Sequence, residues 1–468
     1  MGLALWSVKT TPLGAYFTGT KSTRIMTSED VTPEPFFVSL SSSKKRLLGE
    51  GVWVAAGRVV VGLGTLLGVR LLTEFLDPSV YGAVVLMLGL TALGQGLFCR
   101  PLIQAAYRFY PEMASSGGVR FLRWTTYKFL FVTTGALVGV VLIVGALCLP
   151  RVEASYWVFV ALAACLIAET PTALETSLLS AARRQRAVAI WEGTNACLKP
   201  AIAVLAIAAL GPTPQSVLLA YFLVTGVTFA CALVFLSRGE ERSASVQPHE
   251  APEHNLNQQI LRFAMPLAPL ALVAWLTATS DRYIIGGLAG LGQAGVYSAA
   301  YGLTSMPITM AAYIIMQTLR PVYDQAVAQK DERMAKRTFR IWLLTTMSIC
   351  ILGFVSIALL REWVVALLLA EQYRSTAPLL PWLAAGFTFL SVAYVFECTL
   401  YTYKRTRLVL LGQSIAAVSS LAVAIPMIVF WGLMGAAVAC SVYYAIYLII
   451  MFALSWLVTK KGSQCPGS

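Results

Sequence analysis

Charge is what this chain lacks most. Only 12% of its 468 residues are Asp, Glu, Lys or Arg, against roughly 25% in a soluble domain. Histidine is scarcer still: His249 and His254 are the only two, and both lie in one polar stretch, which argues against a His-based metal centre or catalytic site. The nine Cys fall mostly inside apolar segments and form no CxxC pair, so they read as small packing residues rather than as a zinc site or disulfide framework. No cofactor and no metal is expected.

What is present is apolar. Hydrophobic residues make up 58% of the chain, and a helix crossing a bilayer needs about 20 mostly apolar residues. Twelve such stretches can be marked between residues 50 and 457. The expected fold class is an all-α polytopic membrane protein, with about 12 transmembrane helices in two parallel six-helix lobes around a central cavity. The expected domains are a disordered cytoplasmic tail (1–47), a first lobe (48–237), a cytoplasmic linker (238–258), a second lobe (259–458) and a cytoplasmic tail (459–468). Met26 is an alternative beginning of the first tail.

Basic residues set the orientation. With both termini cytoplasmic, 28 of the 35 Lys and Arg fall on the cytoplasmic side. Arg70, Arg151, Arg282, Arg361 and Arg374 fall opposite, and Arg58 and Lys199 lie inside helices. The net charge of +13 is thereby assigned to anionic membrane lipid, and no nucleic-acid partner is needed. The loops on the far side are tiny, among them Glu74–Ser79, Gly211–Thr213 and Trp431–Gly432. They leave no room for a catalytic domain, which argues against a membrane glycosyltransferase or polymerase.

The chain also repeats itself. Glu175-Thr176-Ser177-Leu178, followed by the basic trio Arg183, Arg184 and Arg186, returns at an offset of about 221 residues. The second copy is Glu397-Cys398-Thr399-Leu400, followed by Lys404, Arg405 and Arg407. Val80-Tyr81-Gly82 and Val296-Tyr297-Ser298, Arg100-Pro101 and Arg320-Pro321, and Gly211 and Gly432 follow nearly the same offset. Six helices per copy place both copies in the same orientation, related by an axis along the membrane normal with a substrate path between them. A salt bridge from each repeated Glu to its following trio is the default expectation.

Ser280-Asp281-Arg282-Tyr283, followed by Gly295-Val296-Tyr297-Ser298-Ala299-Ala300-Tyr301, resembles the polysaccharide-exporter and O-antigen-flippase branch of the MATE-like multidrug/oligosaccharidyl-lipid/polysaccharide exporter superfamily. Leu76-Asp77-Pro78-Ser79-Val80-Tyr81-Gly82 and Ala106-Tyr107-Arg108-Phe109-Tyr110 are similar to motifs of the same branch. The likeness runs from about residue 48 to 458. Glu74 departs from it, standing where the family often has Arg. The resemblance implies a bacterial inner-membrane flippase for a polyprenyl-diphosphate-linked glycan, with polysaccharide polymerase and export proteins as further partners. It implies no covalent chemistry.

Candidate residues follow from what such cargo needs: cations for phosphate, hydroxyls and amides for sugar. Lys199 lies near mid-bilayer before Pro200, and it shares a helix face with Glu192 and Asn195 by i, i+3, i+7 spacing. With Arg58 and Asn195 it is the expected diphosphate site; a structural ion pair between Lys199 and Glu169 is the alternative. Glu169 and Glu192 are read as ion-coupling or ion-pair residues. For Arg58 the alternative is snorkelling to the headgroups. Asp281 and Arg282, at the outer end of helix 7, are expected as a gate or as ordinary capping, and Pro266 and Pro269 as a hinge. A cation-coupled drug or small-molecule antiporter remains the rival function.

Overall fold

The computed structural model describes residues 36–148, 156–240 and 253–462. Residues 1–35 of the expected tail, Arg151, residues 241–252 of the linker with His249, and residues 463–468 lie outside the described residues. Among the described residues there are helices and no strands. The helices are α1 (Phe36–Phe75), α2 (Pro78–Ser115), α3 (Val119–Cys148), α4 (Tyr156–Ala181), α5 (Gln185–Leu210) and α6 (Pro214–Glu240). The second half begins with α7, built of Glu253–Ala264, a 3-10 turn Met265–Leu267 and Ala268–Ala289. It continues with α8 (Leu291–Ala328), α9 (Glu332–Leu368) and α10 (Leu380–Thr402). The run Thr406–Gly462 is divided at Gly432 (φ 57, ψ −135) into α11 (406–431) and α12 (433–462), which brings the number of membrane-length helices among the described residues to twelve.

Length and surface both fit a bilayer. At about 1.5 Å per residue, 20 residues span the roughly 30 Å of hydrocarbon. The outward faces carry Phe131 and Leu147 on α3, Leu359 on α9 and Phe430 on α11, all strongly exposed. Apolar surface on this scale suits lipid, not water. Backbone polar groups are satisfied within each helix, as the bilayer requires.

The two halves pack alike. In the first, α1 lies on α5, α4 on α6 and α3 on α4; in the second, α7 lies on the α11–α12 run, α10 on that same run and α9 on α10. Between the halves, α2 meets α8, α1 meets α8 and α2 meets the start of α7. The α2–α8 contact joins equivalent helices, so the pseudo-two-fold axis runs between them. The turns repeat too: Arg183 and Lys404 both have φ 58. Matching backbone bonds close the two turns, Arg184 N–H to Leu179 O and Arg405 N–H to Leu400 O, each 2.9 Å. Both basic trios are exposed on this face, called here the basic face; the opposite one, with Asp77, Gly211, Gly290 and Gly432, is the distal face.

The repeat is less regular at its glutamates. Arg183 to Lys404 is 221 positions, but Glu175 to Glu397 is 222. One residue is about 100° around a helix, so the two carboxylates face different neighbours. Glu175 accepts from Tyr127 OH at 2.8 Å and pairs with Arg123 at 3.4 Å, both on α3. Glu397 accepts from Gln413 of α11 at 2.8 Å and Tyr447 of α12 at 2.7 Å. Neither is bridged to its following trio, contrary to expectation: both carboxylates are buried toward the lobe interior, whereas the trios sit past the helix ends in water.

Candidate functional site

The site begins with glycine. A Cβ on Gly57 or Gly64 of α1 would fall within 3.0 Å of Ala189 or Ala196 on α5. Only small residues on both sides let the two backbones approach this closely. That approach sets Arg58 of α1 against Glu192 of α5, with Nη1 3.3 Å from Oε2. The Arg58 guanidinium also lies 5.4 Å from the ring centre of Tyr313 on α8, so it touches both lobes.

The face predicted on α5 is formed, and each member has a partner. Asn195 Nδ2 donates to Thr228 Oγ1 of α6 at 3.0 Å and to Trp191 O at 3.1 Å. Lys199 Nζ lies 3.1 Å from Glu169 Oε1 of α4 and 5.4 Å from the ring centre of Tyr221 on α6. Counted along α5 from Gln185, Glu192 lies about 10 Å, Asn195 about 15 Å and Lys199 about 21 Å in from the basic face. A polar seam therefore runs from the basic face to mid-membrane through the first lobe.

The seam is charge-balanced. Arg58 answers Glu192 and Lys199 answers Glu169, so the ion pair named as the alternative for Lys199 is present. The side chains are 34% and 35% exposed in the outer pair and 22% and 30% in the inner one. Pairs sealed in a core would be far less open.

The second lobe is built differently. Asp281 was expected at an exposed helix end, but α7 continues to Ala289, which leaves the pair about two turns inside. Asp281 is 2% exposed; it accepts from Tyr297 OH at 2.6 Å and from the Arg282 N–H at 2.8 Å. Arg282 stacks on Tyr301 at 4.0 Å. This is an internal brace of α7 on α8, and capping is excluded. It also places a cation deep in the second lobe, where none was anticipated. Pro266 is the middle residue of the 3-10 turn Met265–Leu267 and Pro269 follows in the next helical turn, so regular α-helix is interrupted where the two prolines lie. Glu74 is paired with Arg70 one turn before it, at 2.7 Å.

Sequence reasoning missed Tyr221, Thr228 and Tyr313. Tyr221 and Thr228 are seven apart on α6 and share a face, a signal open to inspection. Tyr313 joins only because α8 crosses α1. The inter-lobe contacts on the distal face were also missed: Gly82 against Gly295, and Gln372 and Tyr373 against the end of α1.

Twelve membrane-length helices in duplicated lobes, with a polar seam between basic face and midplane, define a transporter-type membrane protein. Comparison with known proteins agrees. Residues 71–378 match the family model described as polysaccharide biosynthesis protein, and the chain belongs to that family. The fold is shared with the lipid II flippase MurJ in an inward closed conformation, at 12% identity and a TM-score of 0.65 over 86% of this chain and 87% of that one. It is likewise shared with an inward-facing multidrug resistance MATE transporter of the MOP superfamily, at 14% identity and a TM-score of 0.70 over 88% and 100%. A third match is a MOP superfamily transporter from Pyrococcus furiosus, whose binding pocket is described as reversed in polarity. It shares 16% identity with a TM-score of 0.61 over 88% and 95%. No curated protein sequence matches.

Proposed function

We propose that this protein is a flippase that moves a polyprenyl-diphosphate-linked oligosaccharide across the bacterial cytoplasmic membrane for surface polysaccharide assembly. It works by alternating access, with both termini and the basic face cytoplasmic. One observation carries the reading: a chain of the polysaccharide biosynthesis family holds two partly open cations, Arg58 and Lys199, at about 10 Å and 21 Å from its basic face. A diphosphate entering from the inner leaflet meets Arg58 first, at the seam between the lobes, and Lys199 next. Glu192 and Glu169 keep these cations neutralised while the site is empty, and the phosphate displaces them. Asn195 and Thr228, between the two pairs, offer amide and hydroxyl groups to a sugar. Rocking of the lobes about the helix interruption at Pro266 and Pro269 then presents the head group to the other leaflet while the tail stays in lipid. Polysaccharide polymerase and export proteins would receive the product. No covalent step is involved.

The test is reconstitution. Proteoliposomes should render a polyprenyl-diphosphate oligosaccharide accessible to a membrane-impermeant glycosidase, and Lys199→Ala should cut that rate at least about tenfold, the cost of one lost charge-assisted contact. An undiminished rate in a well-inserted Lys199→Ala protein would falsify the receptor role. The rival reading, a cation-coupled drug antiporter, draws on the carboxylates Glu169 and Glu192 and the rings of Tyr221 and Tyr313, which flank the same two cations. Efflux of a cationic dye that survives Lys199→Ala but not Glu169→Gln would favour it.

A further inference from the structure

An α-helix leaves the carbonyls of its last turn without intrahelical partners. On the distal face, two carbonyls at the end of α1, Thr73 O and, just past it, Leu76 O, are taken by the second lobe. Gln372 Nε2, in the connection from α9 to α10, donates to Thr73 O at 3.2 Å and to Leu76 O at 2.9 Å. Tyr373 OH donates to Leu76 O at 3.1 Å. Tyr373 is buried and stands edge-on to Tyr81 of α2, with ring centres 6.0 Å apart.

Beside this lies the meeting of α2 and α8. A Cβ on Gly82 would fall 2.1 Å from Leu291 O, and one on Gly295 would fall 2.0 Å from Pro78 O. Both obstacles are backbone and cannot swing aside. The contact is reciprocal, the first turn of α2 against the first turn of α8. That places it on the pseudo-two-fold axis, where lobes of a duplicated protein must either touch or part.

We propose that these contacts are the distal gate. Gln372 and Tyr373 form a latch on the end of α1, over a seat formed by Gly82 and Gly295, and together they hold the lobes shut on the distal face. The gate rests on the alternating-access reading and gives it its exit. Asp281 and Arg282 do not serve, because Tyr297 and Tyr301 hold them within their own lobe and parting the lobes leaves those contacts intact. The latch suits repeated opening. Leu76 and Gln372 line a cleft of about 600 Å³ on the distal surface, so water can replace each bond as it breaks. The seat makes closure complete, since any side chain there would prop the lobes apart.

Hydrogen-exchange mass spectrometry of the full chain in lipid nanodiscs reads both faces without labels. Gly82→Ala, the double variant Gln372→Ala/Tyr373→Phe, and the near-isosteric Gln372→Glu each weaken the closed state in a different way. Each lost neutral hydrogen bond is worth about 2- to 10-fold, so exchange over residues 76–82 and 291–296 should rise at least about 8-fold in the double variant, which loses three. Exchange around residues 183–188 and 404–409 should slow at the same time, because the lobes trade one opening for the other. Gln372 is exposed, so its variants keep the test alive if Gly82→Ala fails to fold. Unchanged distal exchange overturns the gate, and so does a rise confined to the substituted residues with no response at the basic face. The readout needs no cargo. If the wild-type protein flips no polyprenyl-diphosphate oligosaccharide, the flippase reading falls and the gate is still decided by exchange.

Discussion

Lys199 can be a receptor, a structural partner, or both, and its geometry allows these roles to be separated. It pairs with Glu169 at 3.1 Å in a site that is neither sealed nor free. Lys199→Met should lower stability by about 1–2 kcal/mol, between the cost of breaking an exposed pair and a buried one. Lys199→Met/Glu169→Gln should regain most of that, because no lone carboxylate remains. Thermal unfolding in detergent measures both. If the double variant is stable but still flips nothing, the lysine is a receptor; if flipping returns with stability, it is a brace. The Glu192–Asn195–Lys199 face was legible from spacing alone, since helical geometry is local. That each member of it has a partner on a different helix was not.

At the scale of the element, the turns hold the information. Gly211 (φ 89, ψ 164) ends α5 and Gly432 (φ 57, ψ −135) separates α11 from α12. Both conformations are essentially closed to a residue with a Cβ. Gly211→Ala and Gly432→Ala should each cost about 1–3 kcal/mol of backbone strain, read as a lowered melting temperature of the purified protein. The glycine pair 221 positions apart was visible in the sequence, and so was the interruption of helix 7 at Pro266 and Pro269. The end of α7 was not. An apolar pattern cannot tell whether a helix stops at Ile284 or continues through two glycines to Ala289, and that difference moved Asp281 and Arg282 from rim to interior. The one-residue discrepancy between Glu175/Glu397 and the trios was also in the sequence, and only its meaning needed helices to point somewhere.

At the scale of the whole molecule, orientation is the outstanding consequence of charge. Cysteines placed at Arg184 and Lys404 should react with an impermeant maleimide only from the cytoplasmic side, and those at Asp77 and Glu371 only from outside. Whole-cell against inverted-vesicle labelling reads this. The opposite pattern would reverse the direction of the proposed transport. The pseudo-two-fold axis between α2 and α8 has a further consequence at this scale: in the proposed alternating-access cycle, closing the interface between the lobes on the distal face opens it on the basic face. Arg58 lies at the interface between the lobes, over Tyr313 of the second lobe.

By itself the sequence determined the membrane, the number of helices, the duplication and the helix face that Lys199 shares. All four follow from composition and from periods along the chain, and a bilayer enforces them on any apolar segment of sufficient length. The tertiary structure alone decided that the cations are paired, that Asp281 and Arg282 are interior, and that the lobes meet at two glycines and a glutamine. These depend on which helix crosses which, at what angle and in what register. Such relations arise between segments hundreds of residues apart and leave no mark in either one alone.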